Sequence, residues 1–467
     1  MSRMNKKQKI AMITLGCPKN QVDSEVLAGE LSRGGAELVL NPQNADTIVI
    51  NTCGFVADAK RESIDAILDA VRLKKTGRSP RAVRGSRGPK NPPGGRGPKV
   101  VVWGCLAERY KVEIQKELPE VDAFFGVEPF EDIGRYILGG GYRWSDKAFC
   151  GRTLSTLPHT AYLKIADGCD HLCTFCAIPL FKGKTRSRSI PGLVREAESL
   201  ADGGVKELIL VAQDTTAYGR DLKDGSDLVR LIEKLVRIRG IEWIRILYGH
   251  PAHVDDALMD VVAGEPKVLK TLDLPLQHIA DPMLKAMGRG MSRSSTERLI
   301  GRLRSRIPGL VLRTAFIVGF PGETEAMFEE LLEFVRRTRF ERLGAFEFSP
   351  EEGTRAFRLK GAIRKPTVRR RYRSLMEVQT VISEQTNRAL ESKILPVIVD
   401  GWDPKQKLSY GRTQGDGPEI DHTVWIRGKA RPGGIVSVRI EGSSAYDLAG
   451  VAVPAKSDCQ KPAIDSL

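Results

Sequence analysis

Residues 165–176 read IADGCDHLCTFC, and Cys169, Cys173 and Cys176 within them follow the pattern C-x3-C-x2-C. Three cysteines this close are metal ligands by type, yet a tetrahedral sulfur site takes four. His171 is available as a fourth ligand, but it is crowded between Cys169 and Cys173, and no second C-x2-C lies nearby. Structural zinc is therefore the weaker reading, and the ligand set stands one short.

The surroundings of that stretch decide the fold. It follows an apolar run, AYLKIAD (161–167), that reads as a β-strand. Five similar runs come after it: ELILVAQD (207–214), WIRILYG (243–249), TLDLPLQ (271–277), VLRTAFIVGF (311–320) and LGAFEFSP (343–350). Helical stretches such as GLVREAESLADGG (192–204) and TEAMFEELLEFVRRT (324–338) separate them. Six βα units are too few for a closed eight-stranded barrel, so the pattern predicts a partial (βα)6 barrel with its site at the strands' C-terminal ends.

Upstream, KIAMITLG (9–16), ADTIVINTC (45–53) and KVVVWGC (99–105) read as strands, alternating with helical DSEVLAGELSRGG (23–35), AKRESIDAILDAVRLKK (59–75) and LAERYKVEIQKELPE (106–120). That alternation predicts a parallel α/β domain. Downstream, a basic linking helix over 364–391 leads to short strands with turns, ILPVIVDG (394–401), LSYGRT (408–413), HTVWIRG (422–428) and GGIVSVRIEG (433–442). These predict a small β-barrel. The fold class is thus α/β with three units: a parallel α/β domain at 9–138, the partial barrel at 155–385 and the β-barrel at 388–453, with a tail at 454–467.

Cys17, Cys53 and Cys105 each fall just past a predicted strand of the first domain. Strands of a parallel sheet end on one edge, so three cysteines scattered in sequence can meet in space. A buried structural cysteine is the ordinary alternative for any one of them; the same placement three times argues for a second ligand triad. Cys150 and Cys459, in unremarkable surroundings, are assigned no role.

The C-x3-C-x2-C pattern with Phe175 before its third cysteine resembles the radical S-adenosylmethionine superfamily. That resemblance implies a 4Fe–4S cluster on Cys169, Cys173 and Cys176, with the open iron chelated by S-adenosylmethionine. Two triads together resemble the methylthiotransferase family, which implies a second 4Fe–4S cluster on Cys17, Cys53 and Cys105 and a TRAM-like C-terminal β-barrel. LGCPKNQVDSE (15–25), GCDHLCTFCAIP (168–179), LPLQH (274–278), GFPGET (319–324) and FSPEEGT (348–354) look like the RimO-type branch, which modifies an aspartate of ribosomal protein twelve; the MiaB-type branch, which modifies tRNA adenosine, typically has GCQMN at the first of these. The implied chemistry is reductive cleavage of S-adenosylmethionine, hydrogen abstraction from the aspartate β-carbon by the 5′-deoxyadenosyl radical, and transfer of a methylated sulfur. An external electron donor and a sulfur donor are implied as partners. Two departures stand out: residues 74–99 lengthen the Cys53–Cys105 separation, and MGRG (287–290) has one arginine where two are expected.

For S-adenosylmethionine, Gln213 and Asp214 end the second barrel strand, Gln277 and His278 the fourth, and Gly319 and Gly322 the fifth. Gln213, Gly319 and Gly322 are taken as cofactor-binding, the glycines because they let backbone approach a ligand; an ordinary turn is the alternative. His278 reads equally as a structural histidine.

The 467 residues carry a net charge of +15. Nine basic residues and no acid fall in 74–99, a Gly/Pro-rich segment expected to be disordered. It reads as a solvated insertion or as a tether to ribosomal RNA through phosphates. Residues 393–453 hold eight basic and seven acidic residues, which suits a basic protein substrate better than tRNA. A non-catalytic iron–sulfur RNA-binding protein is the competing class, and a cluster with an open iron argues against it. No apolar run approaches the roughly 20 residues of a membrane span, and the start lacks a signal peptide, so the chain reads as cytoplasmic.

Overall fold

A computed structural model describes residues 7–76, 97–128 and 130–454. The first sheet holds β1 (Lys9–Thr14), β2 (Glu37–Leu38), β3 (Thr47–Thr52), β4 (Lys99–Gly104) and β5 (Ala123–Phe124), all parallel, in the order β2-β1-β3-β4-β5. Alternate strand residues serve opposite faces. Ile48, Ile50, Val100 and Val102 pack under α2 (Ala57–Thr76) and α3 (Cys105–Glu117). Ile10, Val49, Val101 and Trp103 pack under α1 (Pro18–Arg33) and α4 (Phe130–Leu138). Helix α1 starts five residues before the position expected from sequence. Cys17 takes the extended N-cap conformation and Pro18 supplies a preset φ at the first turn.

The six expected barrel strands form one parallel sheet: β6 (Thr160–Lys164), then, past the small hairpin β7 (Ala166–Asp167) and β8 (Arg186–Ser187), β9 (Glu207–Val211), β10 (Trp243–Ile246), β11 (Val268–Asp273), β12 (Val311–Val318) and β13 (Arg342–Glu347). They neighbour one another in sequence order, and β6 and β13 remain edges, so the barrel is open. Helices α5 (Ile178–Phe181), α6 (Ile190–Asp202), α7 (Leu228–Leu235), α8 (Asp256–Gly264), α9 (Asp281–Met287), α10 (Arg293–Arg306) and α11 (Glu325–Thr338) alternate with these strands. The long α12 (Lys365–Arg388) links to a closed barrel of β14 (Ile394–Asp403), β15 (Leu408–Thr413), β16 (Thr423–Arg427), β17 (Ile435–Ser443) and β18 (Asp447–Val453). The fifth strand, DLAGVAV, was not among those read from sequence.

The ends of the basic stretch depart from expectation. Lys74 and Lys75 lie on α2 and pair with Asp122 and Glu120, each at 2.7 Å, and Lys99 opens β4. The expected disorder of the remainder, and the tail with Cys459, lie outside the described residues. Among the described residues no helix is long and apolar enough to cross a membrane.

Buried ions fasten the β-barrel to the open one. Glu207 accepts from Arg245 (2.9 Å) and Arg412 (2.8 Å), all three almost fully buried, and Arg342 grips Asp416 at 2.6 Å. Replacing Glu207 by Ala leaves buried Arg245 with no carboxylate and Arg412 with Asp400 alone, so about 3–5 kcal/mol of docking is expected to be lost; limited proteolysis between α12 and β14 reads it as faster cleavage. A second contact is pH-sensitive. Nδ1 of His422 accepts from Asn387 on α12, and burial, with Arg342 nearby, pushes its pKa from 6.5 down to about 4. The folded state therefore resists a proton that the unfolded chain takes. His422 is expected to contribute stability that is complete above pH 6.5 and lost as pH falls to 4, about 3 kcal/mol in all. Denaturation curves of His422→Gln should lack that component of the slope between those two values.

Candidate active site

Because β1, β3 and β4 are parallel neighbours, their C-terminal ends share an edge, and all three N-terminal-domain cysteines stand on it. Cys17 caps α1, Cys53 follows β3 and Cys105 opens α3. The edge is tight at Gly16, where φ is 94° and an added Cβ would lie 2.7 Å from Cβ of Cys53. Asn20 stitches the three loops together. Its amide nitrogen donates to the carbonyls of Leu15 (3.1 Å) and Thr52 (3.2 Å), and its Oδ1 accepts the Cys105 thiol at 3.7 Å. Burial pushes the Cys53 thiol up to about 11 and that of Cys105 to about 12, with the other thiols of the triad adding to the rise. Such sulfurs ionise only when a cation is supplied, which fits a metal centre.

The second triad lies between β7 and α5 at the mouth of the open barrel. Cys169 donates its amide to the carbonyl of Gly183 (3.0 Å), and Thr174 bonds through nitrogen and hydroxyl to the carbonyls of Met287 and Ala286. Burial lifts Cys169 to about 11 and Cys176 to about 12. Arg289, the arginine of MGRG, donates from Nη1 to the Cys173 sulfur at 3.4 Å. His171 turns away from the sulfurs. Its Nε2 bonds Oδ2 of Asp214 at 2.6 Å and its ring stacks on His250 with centroids 3.9 Å apart. Burial alone would raise the Asp214 carboxyl, but hydrogen bonds from His171 and His253 hold it well below the usual carboxylate range.

Among the described residues only His171, Asp214 and His253 bring three metal-capable atoms within 4.8 Å of one another, and hydrogen bonds account for that set. Neither cysteine triad is so compact.

The two triads face each other. Cys105 packs against Ala177, Ile178 and Phe181, the residues just past Cys176. The FSPEEGT loop clasps both sides. Buried Glu351 accepts from Lys60 of α2 and Arg109 of α3, each at 2.8 Å, and Arg109 also donates to the carbonyl of Gly54, next to Cys53. A few residues on, Arg355 donates to the carbonyl of Leu172 and Ala356 to that of Thr174, both inside the Cys169–Cys176 loop. The motifs LGCPKN and FSPEEGT marked these segments in the sequence, but nothing there showed that Asn20, Glu351 and Arg289 contact the cysteines or their loops.

The remaining expected positions divide. Gln213 donates to Asp167 at 2.6 Å, and its buried Oε1 has no partner, which leaves an acceptor free at the barrel mouth. At Gly322 (φ 86°) an added Cβ would have open space, with only a Met283 methyl at 4.0 Å. Gly319 is different: an added Cβ would strike the Val368 side chain at 2.5 Å, so its bareness serves the packing of α12. His278 is buried against Glu323 (3.2 Å) and accepts the Ala280 amide, a structural histidine. Cys150 is half-buried, and its carbonyl accepts from the hydroxyl of Ser199.

Comparison with known proteins adds the family. Residues 9–126 match the uncharacterized protein family UPF0004, 163–335 the radical SAM superfamily and 393–453 the TRAM domain. The chain is 44% identical to ribosomal protein uS12 methylthiotransferase RimO of Anaeromyxobacter sp. (strain K), covering 95% of this chain and 92% of that protein. It is 42% identical to the protein of the same name from Geobacter sulfurreducens, covering 96% and 99%. Among solved structures, the radical S-adenosylmethionine methyltransferase TsrM from Kitasatospora setae aligns with a TM-score of 0.49 and 14% identity, over 75% of this chain and 77% of that one. The chain belongs to the RimO family of ribosomal protein uS12 methylthiotransferases, which are radical S-adenosylmethionine enzymes.

Proposed function

We propose that this chain adds a methylthio group to the β-carbon of an aspartate on ribosomal protein uS12. The observation that carries the reading is the pair of cysteine triads facing each other, the first with Cys53 and Cys105 buried and the second half-buried, in a chain whose relatives at 42–44% identity over almost its whole length bear the uS12 name. A tRNA adenosine as substrate is the alternative.

Cys169, Cys173 and Cys176 would hold one 4Fe–4S cluster, and Cys17, Cys53 and Cys105 a second; three ligands each leave one position for an exogenous group. When bound, the clusters and S-adenosylmethionine supply the one-electron chemistry that opens an unactivated C–H bond and the sulfur that enters it. The protein's own part is placement and charge. Arg289 donates to the Cys173 sulfur and holds it in place. Gln213 would offer Oε1 to an N–H of the amino group of S-adenosylmethionine. Asn20 holds the three N-terminal loops in register, and Ala177, Ile178 and Phe181 form an apolar wall against water beside Cys105. Electrons and sulfur come from outside partners, in the compartment where ribosomal proteins work. Contact with ribosomal RNA through the basic segment 74–99 is part of this reading.

Replacing Cys173 by Ala is expected to abolish release of 5′-deoxyadenosine by the reconstituted enzyme. Replacing Cys53 by Ala is expected to stop methylthiolation while 5′-deoxyadenosine still forms; methylthiolated product from that variant would refute the role given to the second triad. In cells lacking the gene, intact-mass spectrometry should show uS12 lighter by one methylthio group. An unchanged uS12 alongside loss of a methylthioadenosine from tRNA would move the assignment to the alternative.

A further inference from the structure

Lys19 sits in the first turn of α1, two residues past Cys17, and is only 8% exposed. Its side chain crosses from the N-terminal domain to the mouth of the open barrel. There Nζ donates to the carbonyl of Ala212, just past β9, at 3.5 Å. It also lies 3.9 Å from the ring centroid of Tyr248, just past β10. Tyr248 has φ 61°, a left-handed conformation that non-glycine residues adopt under constraint and that gathers at functional sites.

What sets this lysine apart is the absence of a carboxylate in contact with it. Among the described residues none lies within 4.0 Å of its nitrogen, and buried Asp273, which feels its charge from farther off, is itself paired with Arg313 at 3.5 Å. The two neighbouring buried lysines are fully paired, Lys164 with Asp23 and Asp167, and Lys182 with the same two carboxylates. A buried ammonium with no carboxylate in contact is costly to fold around. One long hydrogen bond and a ring face leave at least one of its three N–H groups uncommitted. The position is built for an anion that arrives from outside.

We propose that Lys19 seats the carboxylate of the target aspartate. The inference rests on the aspartate reading given above. The carboxylate is bonded to the carbon that receives the methylthio group, so it is the handle nearest the reacting atom. Held on Nζ, it places that carbon between the Cys17/Cys53/Cys105 triad and the barrel mouth, beside the wall where Gln213 follows Ala212. The same contact gives selectivity: an asparagine or a neutral nucleobase in that place offers no negative charge and leaves the ammonium buried and unpaired.

The test uses the full chain as wild type, Lys19→Met and Lys19→Arg, with recombinant uS12 carrying either aspartate or asparagine at the modified position. Affinity is measured on enzyme with and without reconstituted clusters; iron content and the electron paramagnetic resonance of the reduced clusters check loading. For the wild type, the asparagine form should bind about 10–100-fold more weakly than the aspartate form. Lys19→Met should lose a similar factor for the aspartate form and no longer distinguish the two. Lys19→Arg should recover most of the discrimination, and kcat/KM should follow the affinities.

If Lys19→Met still prefers aspartate as strongly as the wild type does, the proposal is wrong. It is equally wrong if that variant shifts the cluster spectrum or midpoint potential and leaves uS12 affinity unchanged, since Lys19 would then serve only as counter-charge to a cluster. Should Lys19→Met fail to load iron, the affinities of the unloaded chains decide. Failure of the wild type to methylthiolate uS12 at all would instead sink the functional reading itself.

Discussion

The site depends on a helix that has no free side. One face of α1 packs on its own sheet through Leu27 and Leu31, and Val22 and Val26 pack on the open barrel through Tyr162, Ile209, Val211 and Leu247. Its acids are consumed internally: Glu25 accepts from the Ser155 amide and hydroxyl, and Glu30 from Tyr142 and the Ser145 amide. A helix wedged in this way fixes the distance between two parallel sheets whose strand C-termini look toward one another. Because Cys17 caps it, the first triad is placed relative to the second by ordinary core packing, before any metal is considered.

Much of this was legible in the sequence because parallel strands buried on both faces are written as continuous apolar runs. All six barrel strands and the three cysteine-bearing strands come from that signal. What escaped it has physical reasons. The two-residue strands β2 and β5 are too short to show a pattern, and β18 is built of small residues. Helix α1 buries Lys19, Asp23, Glu25 and Glu30 among partners far along the chain, so its periodicity reads as polar. The fastening residues are hidden for the same reason. Glu351 meets Lys60 and Arg109 across 291 and 242 positions, and separations of that size leave no local trace.

The β-barrel shows how a charge count misleads when burial is unknown. Its eight basic and seven acidic residues look balanced. Arg412, Asp400 and Asp416, however, are buried in the seam with the open barrel, and Asp421 pairs with Arg313 of β12. With these set aside, seven basic residues face four acidic ones on the rest of the barrel. Parity of the whole therefore does not speak against contact with ribosomal RNA, even where the modified residue belongs to a protein.

The clasp around the second triad carries a consequence for biogenesis. The Cys169–Cys176 loop is held by Ala286 and Met287 and again by Arg355 and Ala356, a reach of up to 183 positions. The three loops of the first triad are joined to one another within 85 positions, through Asn20. During synthesis the three loops of the first triad can meet once α3 has emerged, whereas the barrel-mouth pocket stays open until the FSPEEGT loop has been made and has docked on both domains. Contacts of long sequence separation form late. The N-terminal thiols are thus brought together earlier in synthesis than those of the barrel mouth.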